Sequence, residues 1–306
     1  MNSPFHVALC CNESLLPGLH ATLASLTRNL GRREKVELHL FISGIDEASQ
    51  LELRRTVAES GGVGVLQFHE MDLSDFQDLR TLHGDRTIYM RLKLPDLLPD
   101  ASLILYLDSD LIVNTDVCEM FALPLGDAPF GAVMAEPVSW SLDRDVFRKL
   151  GLNDDDRCLN SGVILFNAAV WRKTGVTQQA LEFARTHPTL LKSHDQTILN
   201  ALFSRTYCDL PKHYNAMLSP ESRPVVASDA IYHFMGSPKP WDPLGNILHR
   251  NWRLWKDVIG KTRFRWSAFL AGHAGSYAAR AWALRYSYLR VVKRRVTGMF
   301  KPEPSE

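Results

Sequence analysis

The chain opens on an apolar run, "FHVALCC" (5–11), the pattern of a buried strand. Leu15, Leu16, Leu19, Leu23, Leu26 and Leu30 then recur at helical spacing. "VELHLFIS" (36–43) alternates as a second strand, a polar helix is expected near 46–60, and "VGVLQFHE" (63–70) follows as a third strand. "YMRLKLPDLLP" (89–99) reads as a short helix broken by prolines. Apolar strands are expected at 103–107, near 130–135 and at 162–167. This βαβαβ opening predicts an α/β fold with a mainly parallel sheet and helices on both faces. Ligands in such folds bind at the carboxyl ends of the strands.

One stretch breaks the hydrophobic logic. In "SLILYLDSDLIVNTDV" (102–117) a buried run ends in Asp-Ser-Asp and another apolar run follows at once. An ionised carboxylate is costly to bury unless it is paired or holds a metal. Asp108 and Asp110 are two apart, so on an extended backbone both side chains point to one side. Their mutual repulsion is relieved by a cation between them. A hard divalent ion with oxygen ligands fits, and Mn²⁺ or Mg²⁺ leaves positions open for a substrate phosphate. Three more polar clusters stand in apolar surroundings. Asn160, Ser161 and Gly162 directly precede the strand at 162–167; Asp195 and Gln196 sit in the first turn of an apparent helix; His233, Gly236 and Lys239 share the loop "YHFMGSPKPW".

Composition narrows the class. Of 306 residues, 45% are apolar and 23% charged, the balance of a globular protein. No run of eighteen apolar residues exists, so no membrane-spanning helix is expected, and "MNSPFHVALCCNES" reads as no secretory signal. Five scattered cysteines without zinc spacing point to reduced thiols and a cytoplasmic protein. The net charge of +1 hides an asymmetry, because Lys261 to Lys301 hold ten Lys/Arg and no acid, interleaved with aromatic residues. Such a tail suits an anionic membrane surface, with no nucleic-acid partner expected.

The motifs "YMRLKL", "YLDSD", "LNSGVILFN", "HDQTILNALF" and "HFMGSPKPW" occur in the order in which they occur in glycosyltransferase family 8, retaining enzymes of the GT-A fold. The chain resembles that family from about Phe5 to Trp241, and especially its bacterial lipopolysaccharide galactosyl- and glucosyltransferases. The resemblance implies a GT-A, Rossmann-like catalytic domain over 1–245 and a basic helical region over 246–306. It makes Asp108, Asp110 and His233 the ligands of Mn²⁺, with Mg²⁺ as the alternative, and places Lys239 and the Gly236 backbone at the diphosphate of UDP-galactose or UDP-glucose. Ser109 of the triplet joins this donor site; Arg91, Asn160 and Asp195 match positions around the donor sugar, and Gln196 the position beside its anomeric carbon. Cys10, Cys11, Asn12 and Ser14 lie in the segment that matches the uridine loop. There the lipopolysaccharide galactosyltransferase pattern has an aspartate facing the uracil and this chain has Asn12, whose amide oxygen can also accept an N–H.

The implied reaction is transfer of galactose or glucose to a saccharide or lipid-linked saccharide acceptor, with lipopolysaccharide or another surface glycan as the product. It would take place at the inner face of the plasma membrane. Front-face transfer and a covalent route through Asp195 both remain open, with Gln196 and Asp195 as the catalytic candidates. Segments 72–88 and 136–158, and within the latter 141–156 as a flexible cover, are the candidates for the acceptor groove. The competing readings are a non-catalytic UDP-sugar-binding protein and a haloacid-dehalogenase-type phosphatase, whose nucleophile motif "YLDSDLIV" superficially fits.

Overall fold

The computed structural model describes residues 3–81 and 85–297. Its strands are β1 (Phe5–Asn12), β2 (Val36–Ser43), β3 (Val65–Glu70), β4 (Leu103–Leu107), β5 (Leu111–Val113), β6 (Phe130–Pro137), β7 (Arg157–Asn167), β8 (Cys208–Asp209), β9 (Ala216–Leu218) and β10 (Ile231–Phe234). Seven of them form one sheet in the order β3-β2-β1-β4-β7-β6-β8. The β1–β2, β2–β3, β1–β4 and β6–β8 pairs are parallel, and β7 runs antiparallel to both β4 and β6. The sheet is thus mixed and mainly parallel, as expected. The leucine repeat forms the helix Leu16–Asn29, whose Leu19, Leu23 and Leu26 are fully buried against one face with Val7, Leu9, Leu38 and Leu40. The opposite face is covered by the segment around Tyr89–Leu98 and by helices carrying Trp171, Phe183 and Ile198.

The structure corrects or sharpens the reading of five segments. The Asp-Ser-Asp triplet marks a change of sheet, because the apolar run after it is β5, which pairs with β10 in a second sheet of order β5-β10-β9. The amides of β5 that β10 does not take are satisfied by the helix behind: Leu111 N–H bonds Thr22 Oγ1 at 3.0 Å and Val113 N–H bonds Ser25 Oγ at 2.9 Å. "YHFMGSPKPW" is not all loop, since Ile231–Phe234 is the central strand of this small sheet and His233 stands on it opposite Leu111. Strand β7 starts at Arg157, so Asn160, Ser161 and Gly162 lie inside it, at register shifts against β6. Residues 87–93 form a 3₁₀ helix before the short α-helix Leu94–Leu97. The 141–156 segment carries a helix, Arg144–Lys149, with Arg148 bonded to Asp154.

The basic region packs on the body in its first half. Trp255 donates its indole N–H to Pro17 O at 2.9 Å, and Trp255 and Ile259 share a core with Ala21, Ile112, Phe234 and Trp241. Trp266 meets Trp255 edge-on, Phe264 lies against His20, and Tyr277 donates to Trp241 O. In the last helix, Arg285–Thr297, Val291 is buried while Tyr286, Leu289, Val292 and Val296 face outward. Phe300 and Lys301 of the expected basic stretch lie outside the described residues.

Candidate functional site

The acidic triplet leaves β4 at its carboxyl end, where the sheet switches from a parallel neighbour (β1) to an antiparallel one (β7). Asp108 N–H bonds Gly162 O at 2.8 Å and Phe234 N–H bonds Asp110 O at 3.1 Å, so backbone bonds pin both carboxylates between β7 and β10. His233 Nε2 lies 3.3 Å from Asp110 Oδ1 and 3.7 Å from Asp108 Oδ2. The three side chains offer ligand atoms all within 4.8 Å of one another.

A relay of amides sets the imidazole. Gly162 N–H donates to Asn160 Oδ1 at 3.0 Å, so that atom is an acceptor and also takes Asn215 Nδ2–H at 2.8 Å. Asn215 Oδ1 is left to accept from His233 Nδ1 at 3.0 Å. In its neutral form His233 therefore carries its proton on Nδ1 and presents the Nε2 lone pair to two carboxylates. Asp110 Oδ1 is buried and takes no hydrogen bond. Three electron-pair donors converge with no proton among them, the donor set of a hard divalent cation, and that fits a resident Mn²⁺ or Mg²⁺. Gly162 makes the approach possible, since a Cβ there would lie 2.2 Å from His233 Cε1 and 2.9 Å from Asp108 Oδ2.

Positive charge flanks the carboxylates. Lys239 Nζ sits 2.6 Å from Asp110 Oδ2 and also donates to Phe234 O. Burial works to raise the Asp110 carboxyl, but Lys239 and His233 outweigh it and hold it below the ordinary carboxylate range. Arg91, 5% exposed, reaches Asp108 Oδ1 at 3.0 Å and Asp195 Oδ2 at 3.3 Å, while its Nη1 donates to Ser161 O at 2.6 Å. Asp195 is pushed up by burial against the opposing pull of Arg91. The residue before it, His194, has φ 55°, a left-handed strain that starts the helix Asp195–Phe203 with Asp195 and Gln196 turned inward. Gln196 Oε1 accepts from Asn160 Nδ2 at 3.1 Å and from Ser161 N–H at 3.3 Å, so that oxygen is held rather than offered as a nucleophile.

Asp108, Asp110, His233, Lys239, Arg91, Asn160, Asp195 and Gln196 thus form one connected network. Ser109 donates to Cys10 O and ties the triplet to β1, which ends at Asn12 and passes into the 3₁₀ turn that holds Ser14. The Cys10 and Cys11 side chains are buried, with Cys11 facing the leucine helix and its thiol pushed up to about 12 by burial. The Asn12 oxygen already accepts from Ser14 N–H and Ser14 Oγ, while its amide donates to Asp85 Oδ2 at 2.7 Å. Asp85, unmarked in the sequence, puts a carboxylate beside the 10–14 segment and lines an open polar cavity of about 460 Å³ with Ser43 and Asp72. Gly236 bends the loop toward Lys239 with φ +68°, a conformation that favours glycine.

Other partners were also invisible in the sequence. Asn215 has no pattern around it. Asp242 caps Lys239 N–H at 2.7 Å and is itself gripped by Arg280 at 3.0 Å, which ties the basic region to the lysine loop. Tyr106 did carry a signal, since it stands two residues before Asp108 on the same face, and its hydroxyl bonds Asp108 Oδ1 at 2.5 Å.

The sequence profile of Glycosyl transferase family 8 matches residues 6–245. General stress protein A of Bacillus subtilis is 25% identical over 256 residues, which cover 78% of this chain and 87% of that protein. A lipopolysaccharide 1,2-glucosyltransferase of Escherichia coli is 25% identical over 261 residues, covering 79% of this chain and 74% of that protein. Among solved structures, the galactosyltransferase LgtC in complex with donor and acceptor sugar analogues superposes with a TM-score of 0.72 at 22% identity, over 87% of this chain and 100% of that one. At that identity the superposition speaks for the GT-A fold.

Proposed function

Because the chain belongs to glycosyltransferase family 8, we propose that it moves galactose or glucose from a UDP-sugar to a saccharide acceptor, keeping the α configuration. The observation that carries this reading is the convergence of Asp108, Asp110 and the lone-pair nitrogen of His233 beside Lys239. A divalent ion held by the three would neutralise charge on the departing diphosphate. Lys239 is placed to exchange its bond to Asp110 for one to a phosphate oxygen, and that bond strengthens as the leaving group gains charge. Arg91 opposes the upward push of burial on Asp195 and orients its carboxyl for sugar hydroxyls, while Asn160 and Ser161 hold Gln196 in place near the reacting carbon. With the Gln196 oxygen engaged, front-face transfer suits the site better than attack by that side chain, and the departing phosphate oxygen takes the acceptor proton. The names of the E. coli relative and of LgtC support a hexose donor and a surface glycan as product. Full-length protein with Mn²⁺ and a panel of nucleotide sugars should release UDP from UDP-galactose or UDP-glucose, with an α-linked product by the NMR signal of its anomeric proton. A β-linked product would contradict the mechanism.

The outer face of the last two helices, Ala274–Ala283 and Arg285–Thr297, supports attachment to an anionic membrane surface, where a lipid-linked acceptor would be met. Among the described residues no helix is long and apolar enough to cross a membrane. Trp282, Tyr286, Leu289 and Val296 are instead at least 65% exposed and interleaved with Arg285, Arg290, Lys293 and Arg294. Because Phe264, Trp266 and Arg280 pack on the body, removing everything after Gly260 would strip part of the core. A surface variant is the better test. Full-length protein should sediment with phosphatidylglycerol vesicles and be largely released by about 0.5 M salt, which shortens the screening length. The Trp282→Ser/Leu289→Ser variant should bind several-fold more weakly with UDP release intact; unchanged binding would sink the attachment.

A further inference from the structure

Far from the donor site, three histidines and a glutamate stand together on β1, β2 and β3. Parallel register sets His6 beside Glu37 and Ala8 beside His39. Side chains two apart share a face, so His6, Glu37 and His39 all project from the same side of the sheet. His6 Nδ1 lies 3.2 Å from His39 Nε2 and 3.6 Å from Glu37 Oε2, and His39 Nε2 lies 4.0 Å from that same oxygen. Tetrahedral zinc with bonds of about 2.05 Å has ligands roughly 3.3 Å apart, close to these separations. The other nitrogen of His39, Nδ1, is 3.1 Å from His69 Nε2, and His69 is stacked on Phe41. A metal-bound imidazole characteristically uses its second nitrogen in such a bond, which fixes its tautomer.

We propose that His6, Glu37 and His39 form a second metal site, distinct from the Asp108–Asp110–His233 cluster, that takes a borderline transition ion of the Zn²⁺ class, with His69 orienting His39. The donor set separates the two sites. One nitrogen and two carboxylates suit Mn²⁺ or Mg²⁺, whereas two imidazoles and one carboxylate suit Zn²⁺ and leave a fourth position for water. Burial lowers His6, His69 and His39, the last to about 4 with help from its two neighbours, a shift toward the neutral imidazole that the ligands His6 and His39 and the orienting His69 require. Among the described residues the ion pairs of Glu37 are with His6 and His39 alone, so no lysine or arginine competes for it. His6 and Glu37 are each second in their strands, while Asn12 ends β1 at the donor side. Six residues of extended chain put the two places about 20 Å apart. An ion here would staple β1 to β2 at the end opposite to the chemistry.

The test uses ZnCl₂ alone and the full-length chain carrying Asp108→Asn and Asp110→Asn, which disarm the other cluster. That protein should still bind one Zn²⁺, and Co²⁺ in its place should give the visible absorption of a four-coordinate centre. His6→Ala or Glu37→Gln added to it should weaken Zn²⁺ binding by more than about 100-fold and abolish the Co²⁺ band, while His69→Ala should cost about tenfold. His6 and Glu37 are partly exposed, so both variants should fold; His39 is buried and is left in place. In the otherwise native chain, Glu37→Gln should leave Mn²⁺-dependent UDP release unchanged. Loss of all Zn²⁺ binding with the two aspartates, or Zn²⁺ affinity indifferent to both His6 and Glu37, would overturn the site.

Discussion

Gly162→Ala is expected to cost at least about 10²-fold in UDP-sugar turnover, although a single methyl group is added. The new Cβ would stand 2.2 Å from Cε1 and 2.6 Å from Nδ1 of His233. These ring atoms cannot retreat cheaply, because β10 is buried between β5 and β9 and Nδ1 is bonded to Asn215. The imidazole must turn, and turning it removes Nε2 from the two carboxylates. Overpacking of this kind destabilises by about 1–3 kcal/mol. A shift of that size leaves most domains folded, so activity should fall while the urea midpoint moves modestly. Mn²⁺ affinity, measured on the same preparation, should fall with activity. An alanine variant with full turnover would mean that His233 is not needed where it stands.

Much of the frame was legible because burial leaves periodic traces. The runs at 5–11, 36–43 and 103–107 each fall within a residue of β1, β2 and β4, and the leucine repeat is the helix behind them. Strand β10 was not legible. Its four residues are defined by pairing with β5 and β9, one of them over a hundred positions away, and no local pattern announces that. The early start of β7 was hidden for the opposite reason. Asn160 and Ser161 look unfit for a strand interior, and they are tolerated there because Gln196, Asn215 and Arg91 satisfy them.

The site divides in the same way. Two aspartates after a buried strand are an anomaly visible in one dimension, and the five ordered motifs supplied the partners. Which nitrogen of His233 faces them depends on Asn160 and Asn215, a relay that exists only in the folded chain. The oxygen of Asn12 could accept an N–H in principle, but the fold uses it to cap Ser14 and brings Asp85 alongside. Half of the basic stretch belongs to the core for a similar reason, since aromatic residues interleaved with arginine read alike whether they meet lipid or Trp255 and Trp241.

Asp110→Asn should have the largest effect of any single change at the site. The carboxylate contributes Oδ1, buried and without a hydrogen bond, and balances Lys239 through Oδ2. An amide of the same shape keeps the packing but supplies no charge, and it can turn an N–H toward the place where a cation is required. Charge neutralisation at a leaving phosphate is worth several kcal/mol. A loss of about 4 kcal/mol corresponds to roughly 10³-fold in kcat. The fold should persist at reduced stability, because the isosteric amide leaves the β5–β10 pairing untouched but deprives Lys239 of its charged partner.

The most direct measurement is UDP release from UDP-galactose and UDP-glucose by the native chain and by Asp110→Asn, first in EDTA and then with Mn²⁺ restored in excess. The native chain should be silent in EDTA and recover fully with Mn²⁺, and the variant should be silent in EDTA and about 10³-fold below the native chain once Mn²⁺ is restored. Full turnover by the variant in EDTA would contradict the assignment of Asp108, Asp110 and His233 to a shared cation.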